Sequence, residues 1–298
     1  MSRLSKSRTL PVVAAVIAGL GLAGCSDGAD RDAPEGFEKP LRLYVTPVPQ
    51  GDIARYVQEL ADKDGSGLKL EIIEADGTLE PNQAISLGDV DASLYQHVPF
   101  FDRYIAEHPD VTNLVNGATV LVNVFALYSD RYDDPKDLPD GAEILVPNEQ
   151  TNLPRALFVL QDAGLITLSY PVSDGSPEAL AIDIDSIVSN PRHLKLTPTE
   201  TNLRAEALPD ADAAFINGDV ALSHSIDPSK AIATERTQDN PYANVLTTTT
   251  DKIDDPRIRQ LIEYLTGDDV AAFIEDTYQG YVLPAQKVLP VPEGTPRS

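Results

Sequence analysis

The chain has 298 residues, which suggests roughly two domains, and sets 23 Lys and Arg against 47 Asp and Glu for a formal net charge of −24. A field this negative repels phosphate backbones, so nucleic-acid binding is excluded. The single cysteine rules out a disulfide framework and any Cys-x-x-Cys metal or redox centre, leaving core burial to hold the fold.

Residues 1–24 carry no acid and three basic residues, Arg3, Lys6 and Arg8, ahead of an apolar run over 10–22. That run is too short for a bilayer core of about 30 Å, which takes about 20 helical residues, and it reads as the apolar region of a signal peptide. Leu22-Ala23-Gly24-Cys25 then resembles the bacterial lipobox, in which the cysteine is lipidated and becomes the first mature residue. The alternative is a plain secretory signal with an incidental cysteine. Two or more acyl chains, as lipoproteins carry, anchor stably where one short chain does not. Residues 25–40, with Gly28, Asp30, Asp32, Pro34 and Gly36, show no apolar periodicity and read as a flexible tether.

From residue 41 short apolar strands alternate with amphipathic helices, which predicts α/β layers with mostly parallel sheets. A strand at 41–45 leads to a helix from about 52, with Ile53, Tyr56, Val57 and Leu60 at i, i+3, i+4, i+7. A strand at 68–73, a helix opened by Pro81 and a short strand at 92–95 follow. The apolar run over 118–128, with Asn123 its one strongly polar member, is suited to pass from one lobe into another. A second set comprises a strand at 142–146, a helix at 152–163 stopped by Gly164, and strands at 194–197 and 213–216. The β-branched stretch 242–248 is placed to carry the chain back. Two helices close the fold, one begun at Pro256 and stopped at Gly267, the other carrying Val270, Phe273 and Ile274 and ending near Gly280.

Several motifs fail on context. Gly19-Leu20-Gly21-Leu22-Ala23-Gly24 spells a dinucleotide fingerprint inside the signal segment, with no preceding strand. Asp62-Lys63-Asp64-Gly65-Ser66-Gly67 begins like a calcium loop, but its twelfth position is Ile73 where a bidentate glutamate belongs, so a solvated turn is the better reading. The four histidines are scattered and share no helix face at ligand spacing.

One constellation survives. The strand ending at Val146 runs through Pro147-Asn148-Glu149-Gln150-Thr151-Asn152 into a helix whose first turn carries Asn152 and Arg155 at i and i+3. Free N–H groups at a helix start favour an anion, and a guanidinium fork matches a carboxylate. Spacing alone leaves a second reading open, with Thr151 or Asn152 an N-cap and Arg155 a surface charge. The strand ends Asp91-Ala92-Ser93-Leu94-Tyr95-Gln96 and Asp212-Ala213-Ala214-Phe215-Ile216-Asn217 echo each other, and ligand groups sit just past such ends in α/β sheets.

Pro147-Asn148-x-x-Thr151-Asn152-x-x-Arg155-Ala156-Leu157, Ser189-Asn190-Pro191, Ala213-Ala214-Phe215-Ile216-Asn217-Gly218 and Pro241-Tyr242-Ala243-Asn244-Val245, with Tyr95-Gln96-His97-Val98-Pro99-Phe100 upstream, resemble the methionine-binding lipoproteins of ABC importers. The resemblance runs from the lipobox to about residue 285. It implies a type II periplasmic-binding-protein fold, two α/β lobes with a ligand cleft between them, one lobe formed by 41–122 and 244–298 and the other by 123–243. By the same resemblance Arg155 and Asn152 hold the substrate carboxylate, Asn217 and Asn244 take the α-amino group or its neighbours, and Tyr95 and His97 wall the apolar pocket. Tyr95 as core filling and His97 as a satisfied structural histidine are the competing readings.

Two departures fall near the expected cleft: Asn123-Val124-Phe125-Ala126 where members often have Glu-Pro-Met-Gly, and Gln50 where many have histidine. The expected protein is a non-enzymatic, lipid-anchored extracytoplasmic solute-binding protein, with neither metal nor cofactor. Its partners are methionine of either hand or a close relative, an ABC permease and its ATPase, and the membrane through Cys25. A sensor lipoprotein without transport and a secreted enzyme on the same scaffold are the alternatives.

Overall fold

The computed structural model describes residues 35–288; the signal segment, Cys25 and most of the tether lie outside them. In chain order the elements begin with β1 (Leu41–Val45), α1 (Asp52–Asp64), β2 (Leu70–Glu74), α2 (Pro81–Leu87), β3 (Ala92–His97), α3 (Val98–Glu107), β4 (Leu114–Asn123) and β5 (Phe125–Tyr128). They continue with β6 (Glu143–Pro147), α4 (Leu153–Asp162), β7 (Thr167–Leu168), α5 (Pro177–Leu180), β8 (Ile187–Ser189), β9 (Lys195–Thr199), α6 (Thr201–Glu206), β10 (Ala213–Asn217) and α7 (Gly218–Ser223). The last are β11 (Ala231–Thr234), β12 (Asn244–Thr249), α8 (Pro256–Leu265), α9 (Asp268–Tyr278), β13 (Val282–Pro284) and α10 (Ala285–Val288).

Local chemistry sets the element boundaries. α1 buries Ile53, Ala54, Val57, Leu60 and Ala61 along one stripe and ends at Gly65, whose φ of 67° is left-handed. α2 starts where the Glu80 carboxylate accepts from the Asn82 and Gln83 N–H groups with Pro81 in the first turn, and stops at Gly88 with φ 81°. The candidate calcium loop is the last turn and cap of α1, where Asp62 pairs with Lys69.

The strands form a six-stranded sheet, β13-β4-β12-β3-β1-β2, a five-stranded sheet, β11-β5-β10-β6-β9, and the small β7-β8 pair. Each large sheet has its own apolar core, one gathered under α1, α8 and α9, the other around α4. The chain is already packed on the first core at Phe37. These are the two α/β lobes of a type II periplasmic-binding-protein fold.

The sheets are mixed, not mostly parallel as periodicity suggests. β1 runs parallel to β2 and β3, and β6 parallel to β9 and β10. β12 opposes both β3 and β4, β13 opposes β4, and β5 opposes both β10 and β11. Parallel neighbours need a crossover that returns the chain to the same end of the sheet. β5 and β12 arrive instead from the other sheet, and they enter against the strands already there.

The long apolar run breaks at Val124, so β4 belongs to the first sheet and β5 to the second. The lobes press together at this point. A Cβ on Gly218 would lie 1.9 Å from the Tyr281 carbonyl oxygen and 3.2 Å from that of Val124. Val124 N–H donates to the Tyr281 carbonyl at 3.0 Å, and the Tyr281 hydroxyl donates to the Ile226 carbonyl at 2.9 Å. The β10–α7 junction therefore needs a residue without a side chain.

Candidate functional site

Between the lobes lies an open cleft lined by residues of both. The end of β3 and the start of β12 wall it from the first lobe; the β4–β5 break, the start of α4, the β10–α7 junction and Thr201 complete it. It brings together all six residues singled out in the sequence, Tyr95, His97, Asn152, Arg155, Asn217 and Asn244.

Arg155 is 2% exposed and heavily engaged. Its Nε donates to Glu235 Oε2 at 2.9 Å and its Nη2 to Glu235 Oε1. Nη2 also donates to the Asn123 carbonyl at 3.1 Å, and Nη1 to Asn152 Oδ1 at 3.2 Å. The guanidinium lies between the rings of Phe125 and Tyr242, 4.5 and 4.7 Å from their centroids. Of the five N–H bonds a guanidinium carries, one on Nη1 is left. The fork expected for a ligand carboxylate is therefore closed on Glu235, a residue that an isolated acid in the polar stretch Thr234-Glu235-Arg236-Thr237 gives no means of finding in sequence.

Asn152 does not cap α4, since its side chain accepts from no backbone N–H of that turn. Its orientation follows from its neighbours. His97 Nδ1 accepts the Phe100 N–H at 3.1 Å, capping α3, so the neutral ring carries its proton on Nε2 and donates to Asn152 Oδ1 at 3.3 Å. Burial, and after it the Arg155 charge, pushes His97 down to about 3, so the ring is neutral across the physiological range. With Oδ1 held by His97 and Arg155, the Asn152 Nδ2 group is the part left to donate. His97 is thus both a satisfied structural histidine and a wall of the cleft.

Tyr95 accepts from Asn82 Nδ2 at 2.9 Å, and burial raises its hydroxyl above the ordinary tyrosine value. Its ring meets Phe100 edge-on at 6.1 Å, and His97 meets Phe100 the same way at 6.2 Å, making the apolar side of the cleft.

The opposite side is polar and incomplete. Asn244 Oδ1 accepts from Gln50 Nε2 at 3.1 Å, so its carbonyl is not the free acceptor expected from the family pattern. Gln50 is itself held by the Thr46 hydroxyl. Asn217 Oδ1 and Asn123 Oδ1, by contrast, are buried without a hydrogen-bond partner among the described residues. Asp219 lines the same space. Both departures from the family pattern thus become parts of the site. Asn123 gives its backbone carbonyl to Arg155 and Phe125 a face under it, while Gln50 fixes Asn244. Asp219 was legible only as an acid at a helix start.

Residues 41–286 match the profile of the NlpA lipoprotein family. The chain belongs to that family. Its relatives include the methionine-binding lipoprotein MetQ of Bacillus subtilis, 33% identical over 96% of this chain and all of the relative, and the D-methionine-binding lipoprotein MetQ of Salmonella typhi, 31% identical over 92% and 97%. Among solved structures, a nutrient binding protein from Burkholderia cenocepacia bound to methionine superposes with a TM-score of 0.73 at 29% identity, covering 82% of this NlpA-family chain and 99% of the other. An ABC transporter periplasmic substrate-binding protein from Coxiella burnetii gives 0.73 at 29%, covering 82% and 100%.

Proposed function

We propose that this protein is the solute-binding lipoprotein of an ABC importer, holding methionine, of either hand or within a short peptide, or a closely related apolar amino acid, for delivery to the permease and its ATPase. The observation that carries this reading is a cleft between the lobes in which Asn152 and Arg155 keep donors free, Asn217 and Asn244 stand at two strand ends, and aromatic edges line one side. Asn152 Nδ2 and the free Arg155 Nη1–H face a carboxylate. Asn217, with Asn244 beside the cleft mouth, faces the amino group, and Tyr95, His97 and Phe100 wall a thioether side chain, which makes favourable contacts with aromatic edges. The names of the relatives support methionine as the ligand.

The lobes are assigned to 41–122 with 244–298, of which 289–298 lie outside the described residues, and to 123–243, closing on the ligand without chemistry. Cys25, lipidated after removal of residues 1–24, anchors the protein at the outer face of the cell membrane. No helix among the described residues is long and apolar enough to cross a membrane.

A ligand that binds only the folded state stabilises it by about 2.7 kcal/mol at a hundredfold excess over Kd, several degrees in Tm. Thermal melts with L-methionine, D-methionine and glycylmethionine should show this rise, and melts with lysine, glutamate or sugars should not. A rise with sugars alone sinks the reading. Cys25→Ala should move the protein from the membrane to the soluble fraction with its ligand response intact.

A further inference from the structure

A second hollow lies behind the cleft wall. Arg155 borders both spaces, and its partner Glu235 and the Tyr242 ring line the second. The hollow sits against the segment 235–243, which returns the chain from β11 in one large sheet to β12 in the other. The loop 169–176 leans on the same segment. Arg236 Nη2 donates to the Ser173 carbonyl at 2.9 Å, and a Cβ on Gly175, whose φ is 75°, would lie 2.8 Å from the Pro241 Cβ. Two opposite charges line this hollow without pairing. Asp162 has no hydrogen-bond or ion-pair partner among the described residues, although it ends α4, where the helix dipole disfavours an acid. Arg236 makes the Ser173 bond alone and meets no carboxylate, so most of its guanidinium N–H groups are free. Phe158 and Val159, both buried, and Val172, 45% exposed, give the hollow its apolar wall.

An acid and a guanidinium that share a hollow without touching are answered together by a molecule that carries both charges. We infer that this hollow is a second binding site, distinct from the cleft, for a small zwitterion with an apolar side chain, an α-amino acid or a compact analogue. Its ammonium goes to Asp162, its carboxylate to Arg236, and its side chain lies against Phe158, Val159 and Val172. A simple anion is repelled by Asp162 and a simple cation by Arg236, so the hollow selects the zwitterion. The inference goes beyond the reading of the cleft and does not depend on it.

The test is equilibrium dialysis of the full chain against radiolabelled L-methionine and L-leucine, on wild type, Asp162→Asn and Arg236→Gln. Wild type should bind L-methionine in two classes per chain, the second weaker because solvent screens exposed charges. Each variant should weaken that second class by about tenfold or more and leave the first unchanged. Both side chains are exposed, so the ligand-free Tm should stay at the wild-type value. Asp162→Asn gives up no contact within the chain, and it keeps the test decisive if Arg236→Gln loosens the 169–176 loop. L-Methioninamide and N-acetyl-L-methionine each lack one charge and should not displace the label from the second class. Binding of both amino acids that neither variant weakens, in one class or two, overturns the second site and leaves the cleft reading standing. A single class of methionine binding that both variants weaken supports the second site and overturns the cleft reading. A wild type that binds neither amino acid overturns both.

Discussion

At the Arg155 end of the cleft all but one guanidinium N–H is satisfied within the protein, while at the β10–α7 end Asn217 Oδ1 is buried without a hydrogen-bond partner and Asp219 is without an ion-pair partner among the described residues. The two ends look alike in sequence, each a polar residue just past a strand. They differ in what they cost the folded chain. An ion pair closed by hydrogen bonds is stable as it stands, whereas a buried acceptor without a donor costs about 1–3 kcal/mol. Such a cost persists where something other than the chain relieves it. The satisfied end therefore belongs to the architecture of the second lobe, and the unsatisfied end to recognition.

The largest effect that separates them is at the ion pair. Arg155→Ala leaves Glu235 buried and unpaired, and Glu235→Ala does the reverse; each should cost about 3–5 kcal/mol of stability. Replacing both by residues of similar bulk, Arg155→Met with Glu235→Leu, should return the protein close to wild type. Urea unfolding of the three variants measures this. If Arg155→Ala unfolds like wild type and loses only affinity, the division between an architectural and a recognising end is wrong. Gly218→Ala tests the contact between the lobes beneath both ends. Its Cβ would meet backbone at 1.9 Å, which a rotamer change cannot relieve, and it should cost about 1–3 kcal/mol or more. An alanine variant as stable as wild type would show that the lobes do not meet as described.

Much of this was legible in the sequence, and the limits have physical causes. Helix faces and buried strands declared themselves because apolar spacing records which side of an element meets the core: the α1 stripe and the passage of the long run from one sheet into the other are examples, though its break at Val124 was not foreseen. Strand direction left no such record, so the antiparallel entry of β5 and β12 was missed. At the site, Asn152 and Arg155 stood out because a strand, a turn and a helix start are contiguous. Glu235 reaches Arg155 across 80 positions of chain, and nothing in a lone acid within a polar stretch announces its partner. Asn123 was visible only as a departure; its meaning needed the orphaned oxygen.

His97 belongs to the satisfied end, capping α3 with Nδ1 and orienting Asn152 with Nε2. Its pKa is pushed down to about 3 in the folded protein, below the unfolded value of about 6.5. Its contribution to stability is therefore fully present above about pH 6.5 and lost progressively as pH falls toward 3. His97→Asn keeps an N-cap oxygen and removes the titration. Between pH 7 and 5, wild type should lose about 1–2 kcal/mol more stability than the variant, in urea melts at the two pH values. Equal losses would place a water-exposed, freely titrating ring at the cleft wall.

The smallest shift, and the one with opposite sign, belongs to Asp219. Burial raises its pKa, so its carboxyl favours folding below the ordinary aspartate range and loses that contribution as pH rises through the folded value. The charged groups that face it across the cleft are Arg155 on α4 with its partner Glu235, and His97 and Tyr95 on β3. The pair is internally compensated, Tyr95 stays protonated, and His97 stays neutral once pH is well above 3. The stability difference between ligand-free Asp219→Asn and wild type should then grow in favour of the variant as pH rises from 4 to 7. Saturating methionine should erase that growth, because the ligand's ammonium supplies the missing counter-charge. Differential melts at several pH values resolve the effect. A difference that stays flat, or that methionine leaves untouched, would mean that Asp219 already has its charge answered by solvent and that the two ends of the cleft are not opposites.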